Sequence, residues 1–268
     1  MRPDVPVEGV TTFKQRCRND PPQLGCWLNL ASPLAAELLA SCGYDCVLID
    51  REHSPADSMT ALSMVHAARA VGSAVLLRVP ANDPAEIKRT ADLGVDGVMV
   101  PQIEGATDAR RAVQAAYYPP TGSRGFATGI IRASGFGLNA QYLSAAADHM
   151  LLMCQIETAR GADAVVEIAE VPGVDLLFVG PYDFSASLGY PGQPDHPVVR
   201  RRIEGIEGAC RDAGIPIGGI PTPGRSAREL IETGYALILS GSDVAFLREG
   251  ARAQLKDLAE ARAAIRGR

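Results

Sequence analysis

The stretch Cys46-Val-Leu-Ile-Asp50, with its counterpart Ala74-Val-Leu-Leu-Arg78, decides the fold. Each is an unbroken apolar run that ends on a charged residue. A strand with one face in water alternates apolar and polar residues, whereas a parallel strand buried on both faces is apolar along its length. Both stretches therefore predict central strands of a parallel sheet, and their charged ends mark where the chain leaves it.

Runs of this kind alternate along the chain with alanine-rich or charged segments of helical character. The predicted strands are Leu24–Leu30, Cys46–Asp50, Ala74–Val79, Gly97–Pro101, Met150–Ile156, Leu176–Gly180, Ile215–Ile220 and Ala236–Ser240. The predicted helices span 33–42, 57–71, 84–94, 105–116, 161–170, 197–213, 224–234 and 243–264. Eight strand–helix units without a linker predict one (β/α)8 TIM barrel, a single domain over residues 1–268. A doubly wound sheet is the alternative, but no G-x-G-x-x-G motif follows the first strand.

The composition excludes several classes of protein. Of the 268 residues, 47% are hydrophobic and 21% are charged, which is typical of a globular chain, and the net charge of −5 disfavours binding to nucleic acid or to an anionic membrane. No N-terminal apolar segment and no run of membrane-spanning length is present, so we expect a cytoplasmic protein. The six cysteines form no C-x-x-C pair, and we expect them to be reduced thiols.

Two segments stand apart from the eight units. Residues 1–23 form a lead-in before the first strand, and residues 119–137 form a glycine-rich loop that contains Arg124 and Arg132. Long ordered loops in compact domains tend to bind ligands or other subunits. We therefore expect residues 119–137 to be an active-site or interface loop.

Polar residues collect at the carboxyl ends of several predicted strands, where barrel enzymes place their catalytic groups. They are Asp50, Glu52, His53, Arg78, Gln155, Glu157, Tyr182 and Asp183. Each has a structural explanation if it is taken alone, such as a helix cap or an ion pair. Burying several charges at one rim costs several kcal/mol per ion unless a ligand or a metal compensates them, and this cost favours a functional site.

The residue types at this rim indicate a particular chemistry. Glu157 and Asp183 offer the oxygen ligands that suit Mg²⁺ or Mn²⁺, whereas zinc would need a cluster of His and Cys. Arg78 offers a planar fork for a carboxylate or an oxyanion. His53 lies near Asp50 in sequence, as a base oriented by a carboxylate would. Gln155 is expected to face the same cavity only if its strand bulges.

The three lysines of the chain, Lys14, Lys88 and Lys256, all lie outside the predicted strands. An aldolase that forms an imine needs a lysine inside the barrel. If this protein stabilises an enolate, a metal ion must take that role.

Five motifs, in order and at matching spacing, resemble the metal-dependent (class II) pyruvate aldolases of the HpcH/HpaI family, typified by 2,4-dihydroxyhept-2-enedioate aldolase. The resemblance covers roughly residues 24–260. The motifs are Leu48-Ile-Asp-Arg-Glu-His53, Arg78-Val-Pro-Ala-Asn-Asp-Pro84, Tyr118-Pro-Pro-Thr-Gly-Ser-Arg-Gly125, Gln155-Ile-Glu157 and Gly180-Pro-Tyr-Asp-Phe-Ser185. The resemblance implies a homo-hexamer of TIM barrels with swapped C-terminal helices.

The resemblance also implies roles for the rim residues. Glu157 and Asp183 would hold the divalent metal (Mg²⁺, Mn²⁺ or Co²⁺), and the backbone N–H groups of Tyr182 and Asp183 would receive the pyruvate carboxylate. The remaining matches are Arg78 for enolate stabilisation, Gln155 for the pocket wall, His53 for the base paired with Asp50, and Asp92 for an acid that reaches the base of a neighbouring subunit.

The implied reaction is cleavage or formation of 2-keto-4-hydroxy acids, with pyruvate and an aldehyde as partners, through a metal-stabilised pyruvate enolate. Oxaloacetate decarboxylation, or an enolate-trapping synthase reaction, would use the same groups and is the alternative. A CoA-ester lyase of the wider superfamily is a third reading, and a non-catalytic scaffold is a fourth.

One residue departs from the family pattern. Arg51 stands where relatives usually have a small residue between the aspartate and the Glu-His pair. Its guanidinium could pair with Glu52, bind a second carboxylate of the substrate, or turn away to an interface. The aldehyde partner is therefore left open by the sequence.

Overall fold

The computed structural model describes residues 11–266. Eight parallel strands close into a barrel in chain order, and the last strand pairs with the first. The strands are β1 (Gln23–Leu28), β2 (Cys46–Asp50), β3 (Ala74–Arg78), β4 (Gly97–Val100), β5 (Leu151–Ile156), β6 (Leu176–Val179), β7 (Ile217–Gly219) and β8 (Leu237–Ser242). The predicted (β/α)8 TIM barrel is confirmed. Residues 1–10 of the predicted lead-in lie outside the described residues.

Helices connect the strands on the outside of the barrel. They are α1 (Phe13–Asn19), α2 (Pro33–Ser41), α3 (Ser58–Ala70), α4 (Pro84–Asp92), α5 (Ala106–Ala116), α6 (Tyr142–His149), α7 (Ala159–Asp163), α8 (Val165–Ala169), α9 (Pro181–Ser187), α10 (Pro197–Ala213), α11 (Ala227–Thr233) and α12 (Asp243–Arg266). None of them combines the length and the low polarity that a membrane-spanning helix within residues 11–266 would need.

The helix predictions hold for the long elements and fail for short ones. The predicted helix at 161–170 is two short helices, and the first of them begins early because the Thr158 hydroxyl caps it by accepting the N–H of Gly161. Helices α1, α6 and α9 were not predicted. Each has only seven or eight residues, which is too short for an apolar period to stand out.

The barrel has two apolar layers, as the unbroken strands predicted. Alternate residues of each strand point into the barrel, where Leu48, Leu76 and Met153 pack together, while the residues between them pack against the helices. Because β5 pairs with both neighbours without a register shift, Gln155 follows Met153 on the inner face. The expectation that Gln155 needs a bulge was wrong: plain alternation turns it inward.

The 119–137 loop lies at the opposite end of the barrel from the strand ends. It follows α5, which runs back along the outside of the barrel, and it packs against the end of α4, where Arg132 donates to the carbonyl of Leu93 at 2.6 Å. Within one chain it therefore cannot line the predicted rim. The other expectation, a subunit interface, stays a prediction.

The last helix, α12, extends away from the barrel. Of its 24 residues only Asp243, the first, is buried. Apolar side chains along the rest of its length are exposed, and these are Val244, Phe246, Leu247, Leu255, Leu258 and Ile265. An amphipathic helix with an uncovered apolar face is a candidate for packing against another subunit.

All six cysteines are free thiols, as the sequence predicted, and all but Cys42 are buried.

Candidate active site

A cavity of about 220 Å³ opens at the carboxyl ends of the strands. Its lining residues come from six of the eight strands or from the segments that follow them, and they are Trp27, Asn29, Asp50, His53, Arg78, Gln155, Phe178, Gly180, Pro181, Tyr182, Asp183 and Ile220. Six of the eight predicted site residues are in this set. The barrel therefore brings together predicted site residues that are as much as 133 positions apart in sequence, from Asp50 to Asp183.

A larger cavity of about 300 Å³ lies beside α10 and α11. Two of its charged lining residues have partners in the surrounding structure: Arg225 contacts Glu207, and Asp195 accepts the N–H of Gly224 at 2.8 Å. The rim cavity is the better candidate, because it collects six of the predicted site residues at the carboxyl ends of the strands.

Arg78 and Asp50 form the central contact of the rim. The Nε and Nη2 atoms of Arg78 donate to the two carboxylate oxygens of Asp50 at 2.9 and 2.8 Å, and Asp50 is fully buried. Burial lowers the pKa of Arg78, but the hydrogen bond and the charge of Asp50 outweigh that effect and raise it overall, so the guanidinium stays charged. Its third nitrogen, Nη1, lies 2.9 Å from Oε2 of Glu52.

An aromatic ring holds the same guanidinium from one side. The central carbon of Arg78 lies 4.6 Å from the centroid of the Trp27 ring, and the Trp27 ring packs edge-on against Phe178. The arginine is thus fixed by two carboxylates and one aromatic face, and this leaves little freedom for it to rotate.

The predicted pairing of Asp50 with the His53 imidazole is not present. Asp50 accepts the backbone N–H groups of Glu52 and His53, at 2.9 and 3.4 Å, and its other donors are the side chains of Arg78 and Asn29. The imidazole is largely exposed, and its Nε2 lies 3.9 Å from Oε2 of Glu52. The expectation assumed that residues close in sequence form pairs. The buried carboxylate of Asp50 instead pairs with the buried guanidinium of Arg78, because both charges need compensation away from water.

Glu157 is a buried carboxylate at the same rim. Its Oε1 accepts the N–H of Gln102 at 2.8 Å, and its Oε2 accepts the Gln155 amide. Burial raises its pKa from 4.5 to about 7, and the nearby charges of Glu52 and Asp183 add to the rise. A carboxylate whose anionic form is destabilised by burial is well suited to bind a cation, because the positive charge compensates the buried negative charge.

Gly180 makes room for this arrangement. A Cβ atom at Gly180 would come within 2.9 Å of Nε2 of Gln155 and 3.0 Å of Oε2 of Glu157. Only glycine therefore leaves room for these two side chains beside the start of α9.

The last predicted site residue, Asp92, is remote from the cavity of its own chain. It ends α4, at the amino-terminal end of the barrel, where its carboxylate pairs with Arg124 of the 119–137 loop. Because α4 runs opposite to the strands, its last residue and the rim lie at opposite ends. Asp92 can reach a His53 only if that histidine belongs to another subunit, as the family resemblance implies.

The structure also assigns Arg51 a partner. Its Nη1 lies 3.0 Å from Oε2 of Glu86 in the first turn of α4, and its Nε donates to the Ala56 carbonyl at 3.3 Å. The side chain is 10% exposed and lies outside the cavity lining. Within the chain its partner is Glu86 rather than Glu52, so Arg51 ties the His53 segment to the next helix.

Separate replacement of Arg51 and Glu86 by alanine is expected to lower the free energy of unfolding by about 1–3 kcal/mol each, since each leaves a partly buried charge without its partner. The double variant should lose less than the two together, with a coupling energy of about 0.5–3 kcal/mol. Urea denaturation of the four proteins measures this. Additive effects would contradict a functional ion pair at this position.

Sequence reasoning missed several residues of the site. Trp27 and Asn29 line the cavity, and Gln102 positions Glu157 from a backbone conformation with a φ of 55°. A non-glycine residue in this left-handed region stores strain of a kind often found at functional sites. The sequence carries no signal for that conformation, whereas Trp27, the only tryptophan of the chain, could have been noticed at the end of its strand.

The carboxylates of the rim can supply some, but not all, of the ligands of a hard divalent cation. No three His, Cys, Asp or Glu side chains within residues 11–266 converge closely enough to hold a metal ion alone. Two carboxylates with open positions are the arrangement that Mg²⁺ or Mn²⁺ accepts, because these ions keep water or substrate oxygens as further ligands. Glu157 with its raised pKa, and Asp183 at the start of α9, are the residues that fit.

Comparison with known proteins agrees with the fold and with the motifs. Residues 23–249 match the sequence profile of the family described as HpcH/HpaI aldolase/citrate lyase. The chain is 38% identical over 242 residues to the 4-hydroxy-2-oxo-heptane-1,7-dioate aldolase of Shigella sonnei, with 90% of this chain and 92% of that protein covered.

Solved structures give the same result. An HpcH/HpaI aldolase/citrate lyase family protein from Burkholderia cenocepacia superposes with a TM-score of 0.88 and 40% identity, over 93% of this chain and 100% of that chain. Macrophomate synthase superposes with a TM-score of 0.82 and 28% identity, over 94% and 90% of the two chains. The second protein is named a synthase, so this fold is not confined to aldolases.

Proposed function

The chain belongs to the HpcH/HpaI aldolase/citrate lyase family, and from this premise we propose that it is a metal-dependent pyruvate aldolase. It would cleave or form 2-keto-4-hydroxy acids, with pyruvate and an aldehyde as the smaller partners. The observation that carries the proposal is the buried carboxylate of Glu157, whose pKa is raised to about 7, at one rim with Asp183 and the charged Arg78.

Glu157 and Asp183 would hold the divalent cation, with Mg²⁺, Mn²⁺ and Co²⁺ as the candidates. A bound cation would act as a Lewis acid toward the keto oxygen of the substrate. The protein's own part is to keep the carboxylates in place. Gln102 and Gln155 do so for Glu157 through the hydrogen bonds described above.

Arg78 would stabilise the negative charge that develops on the keto oxygen when the carbon–carbon bond breaks. Its guanidinium is charged, held by Asp50 and turned toward the cavity, so little reorganisation is needed during the reaction. The N–H groups of Tyr182 and Asp183, in the first turn of α9, are suitably placed for the substrate carboxylate, because the first N–H groups of a helix have no partner within it.

His53 would move the proton. In the cleavage direction it accepts the proton of the C4 hydroxyl, the C3–C4 bond breaks to release the aldehyde, and the remaining enolate is protonated to pyruvate. Its neighbour Glu52, 3.9 Å away, is the group that can orient a protonated imidazole, while Asp50 acts on Arg78.

Proton exchange tests the proposal most directly. With Mg²⁺ and pyruvate in deuterated water, NMR should show loss of the pyruvate methyl signal, and added aldehydes should give 4-hydroxy-2-keto acids. Oxaloacetate in a parallel sample distinguishes the decarboxylase alternative, and an acyl-CoA sample distinguishes the CoA-ester lyase. A protein that exchanges no protons and forms no carbon–carbon product is not an aldolase.

We also propose that the chain assembles as a homo-hexamer in which α12 packs on a neighbouring subunit. The exposed apolar residues of α12 support this arrangement, and so does Asp92, which can meet a His53 only across subunits. The alternative, a monomer, would leave that helix uncovered.

Replacing Leu255 and Leu258 together by glutamate is expected to dissociate the assembly, because two charges would enter the apolar face. Light scattering after size-exclusion chromatography measures the mass. Lys256→Glu adds the same side chain on a residue that is 75% exposed and serves as the control. An unchanged mass in the double variant would show that this face makes no subunit contact.

A further inference from the structure

We infer that Asn29 and Asp243 are positioning residues that connect the start of α12 to Arg78. The inference rests on the proposed role of Arg78 in the reaction, and it adds two residues that do not themselves touch the reacting atoms. Through them, the helix that leaves the barrel helps to orient the arginine of the active site.

The first link joins Asn29 to the arginine pair. Nδ2 of Asn29 donates to Oδ2 of Asp50 at 2.8 Å, and the same oxygen accepts Nη2 of Arg78 at 2.8 Å. Asp50 is fully buried, so an oxygen that lost one of these donors would have no water to replace it. Asn29 thus helps to hold the carboxylate in the orientation in which it meets the guanidinium.

The second link joins Asn29 to α12. Asp243 accepts the backbone N–H of Asn29 at 2.9 Å and that of Leu30 at 3.0 Å, one with each carboxylate oxygen. Asp243 is 2% exposed and is the first residue of α12, where it also accepts the N–H of Val244 at 2.8 Å. The segment after β1 is therefore held by a side chain whose position depends on the last helix.

The two links form one continuous chain of hydrogen bonds from the helix start to the catalytic arginine. α12 makes its main contacts in the described chain with β1 and β8, and the rest of its length is exposed. A shift of its first turn would pass to the backbone of Asn29, and from there through Asp50 to Arg78. Docking of α12 on another subunit would then favour one orientation of the arginine.

Trp27 allows this to be tested without any reaction. It is the only tryptophan of the chain, and the Arg78 guanidinium lies over its ring, so intrinsic fluorescence reports the position of the arginine. Arg78→Met gives the reference spectrum for complete loss of that contact. We expect Asn29→Ala to shift the emission toward the Arg78→Met spectrum while the circular dichroism spectrum is retained.

Kinetics supply the second readout. Misplacement of an oriented group affects the chemical step, so Asn29→Ala should lower the rate of pyruvate proton exchange by about 10–100-fold, with the KM for pyruvate changed by less than about threefold. Asp243→Asn should act in the same direction. The double variant should be no worse than the more damaged single variant, since both changes break the same chain.

Asn82→Ala is the matched control. Asn82, like Asn29, follows a strand, but its side chain donates to the backbone carbonyl of Asp108 at 3.0 Å and takes no part in the hydrogen bonds that lead to Arg78. It should leave the spectrum and the exchange rate unchanged. Wild-type fluorescence in Asn29→Ala, or additive losses in the double variant, would overturn the inference. If the wild type exchanges no protons, the proposed function fails, and the fluorescence result still decides whether the arginine is held in this way.

Discussion

Glu157→Gln is expected to stabilise the metal-free protein at pH 8 and to abolish its response to divalent cations. In the folded chain, burial raises the pKa of Glu157 from 4.5 to about 7. Burial therefore destabilises the carboxylate anion at pH 8, whereas the glutamine amide is neutral, has nearly the same shape and keeps one of the two acceptor oxygens. The substitution removes a cost to folding and, with it, a ligand for the cation.

The pH dependence follows from the direction of the shift. Between pH 4.5 and about 7 the folded protein binds a proton at Glu157 that the unfolded chain has lost, so the free energy of unfolding falls as the pH rises through this range. The gap between the two pKa values corresponds to about 3 kcal/mol. Urea denaturation in EDTA at pH 4.5 and at pH 8 should show this loss in the wild type and much less of it in Glu157→Gln.

When a divalent cation is bound, the wild type gains stability that Glu157→Gln does not. At pH 8, Mg²⁺ or Mn²⁺ should raise the melting temperature of the wild type, because a ligand that binds only the folded state stabilises it. Glu157→Gln should show no such rise and no detectable turnover. Glu104→Gln, the same change on a residue paired with Arg160 outside the cavity, should behave as the wild type. A cation-dependent rise in Glu157→Gln would refute the ligand assignment.

Much of this geometry could be predicted from the strands. Unbroken apolar runs indicated burial on both faces, and the polar residue at the end of each run marked the rim, so Asp50, Arg78 and Glu157 were found without a structure. Period-two alternation even places Gln155 correctly, although a bulge was expected there. Periodicity succeeds because it depends on local backbone geometry.

The partners of charged residues on other strands and helices could not be predicted in the same way. Asp50 was expected to orient His53, three residues away, but its partner is Arg78, 28 residues away on the next strand. Arg51 likewise pairs with Glu86 in the following unit. Buried charges select partners by distance and desolvation after folding, and sequence separation carries little information about either.

Short helices and subunit contacts could not be predicted from the sequence either. Helix α9 has seven residues, yet it sets the N–H groups of Tyr182 and Asp183 at the cavity. Asp92 was assigned through the resemblance alone, and at the end of α4 it lies away from the cavity of its own chain, so its proposed role requires another subunit. The functions of such residues depend on neighbours that a single sequence does not describe.

Arg78→Ala is expected to cause the largest combined loss of stability and activity. It leaves Asp50, which has no exposure to water, without the cation that donates two hydrogen bonds to it. Removing one partner of a buried ion pair costs about 3–5 kcal/mol, which urea denaturation would detect. Loss of a group that stabilises an oxyanion costs about 10²–10³-fold in rate, which the pyruvate exchange assay would detect.

Two further variants separate the roles of the pair. Arg78→Ala combined with Asp50→Asn removes both charges, so it should recover much of the stability and none of the activity. Arg78→Lys keeps the charge but loses the planar fork that meets both oxygens of Asp50, so it should be folded and slow. If the double variant stays as unstable as Arg78→Ala, the buried charge of Asp50 is not the cause of the instability. If Arg78→Lys turns over at the wild-type rate, the fork is not needed, and the charge alone would account for the part that Arg78 plays in the reaction.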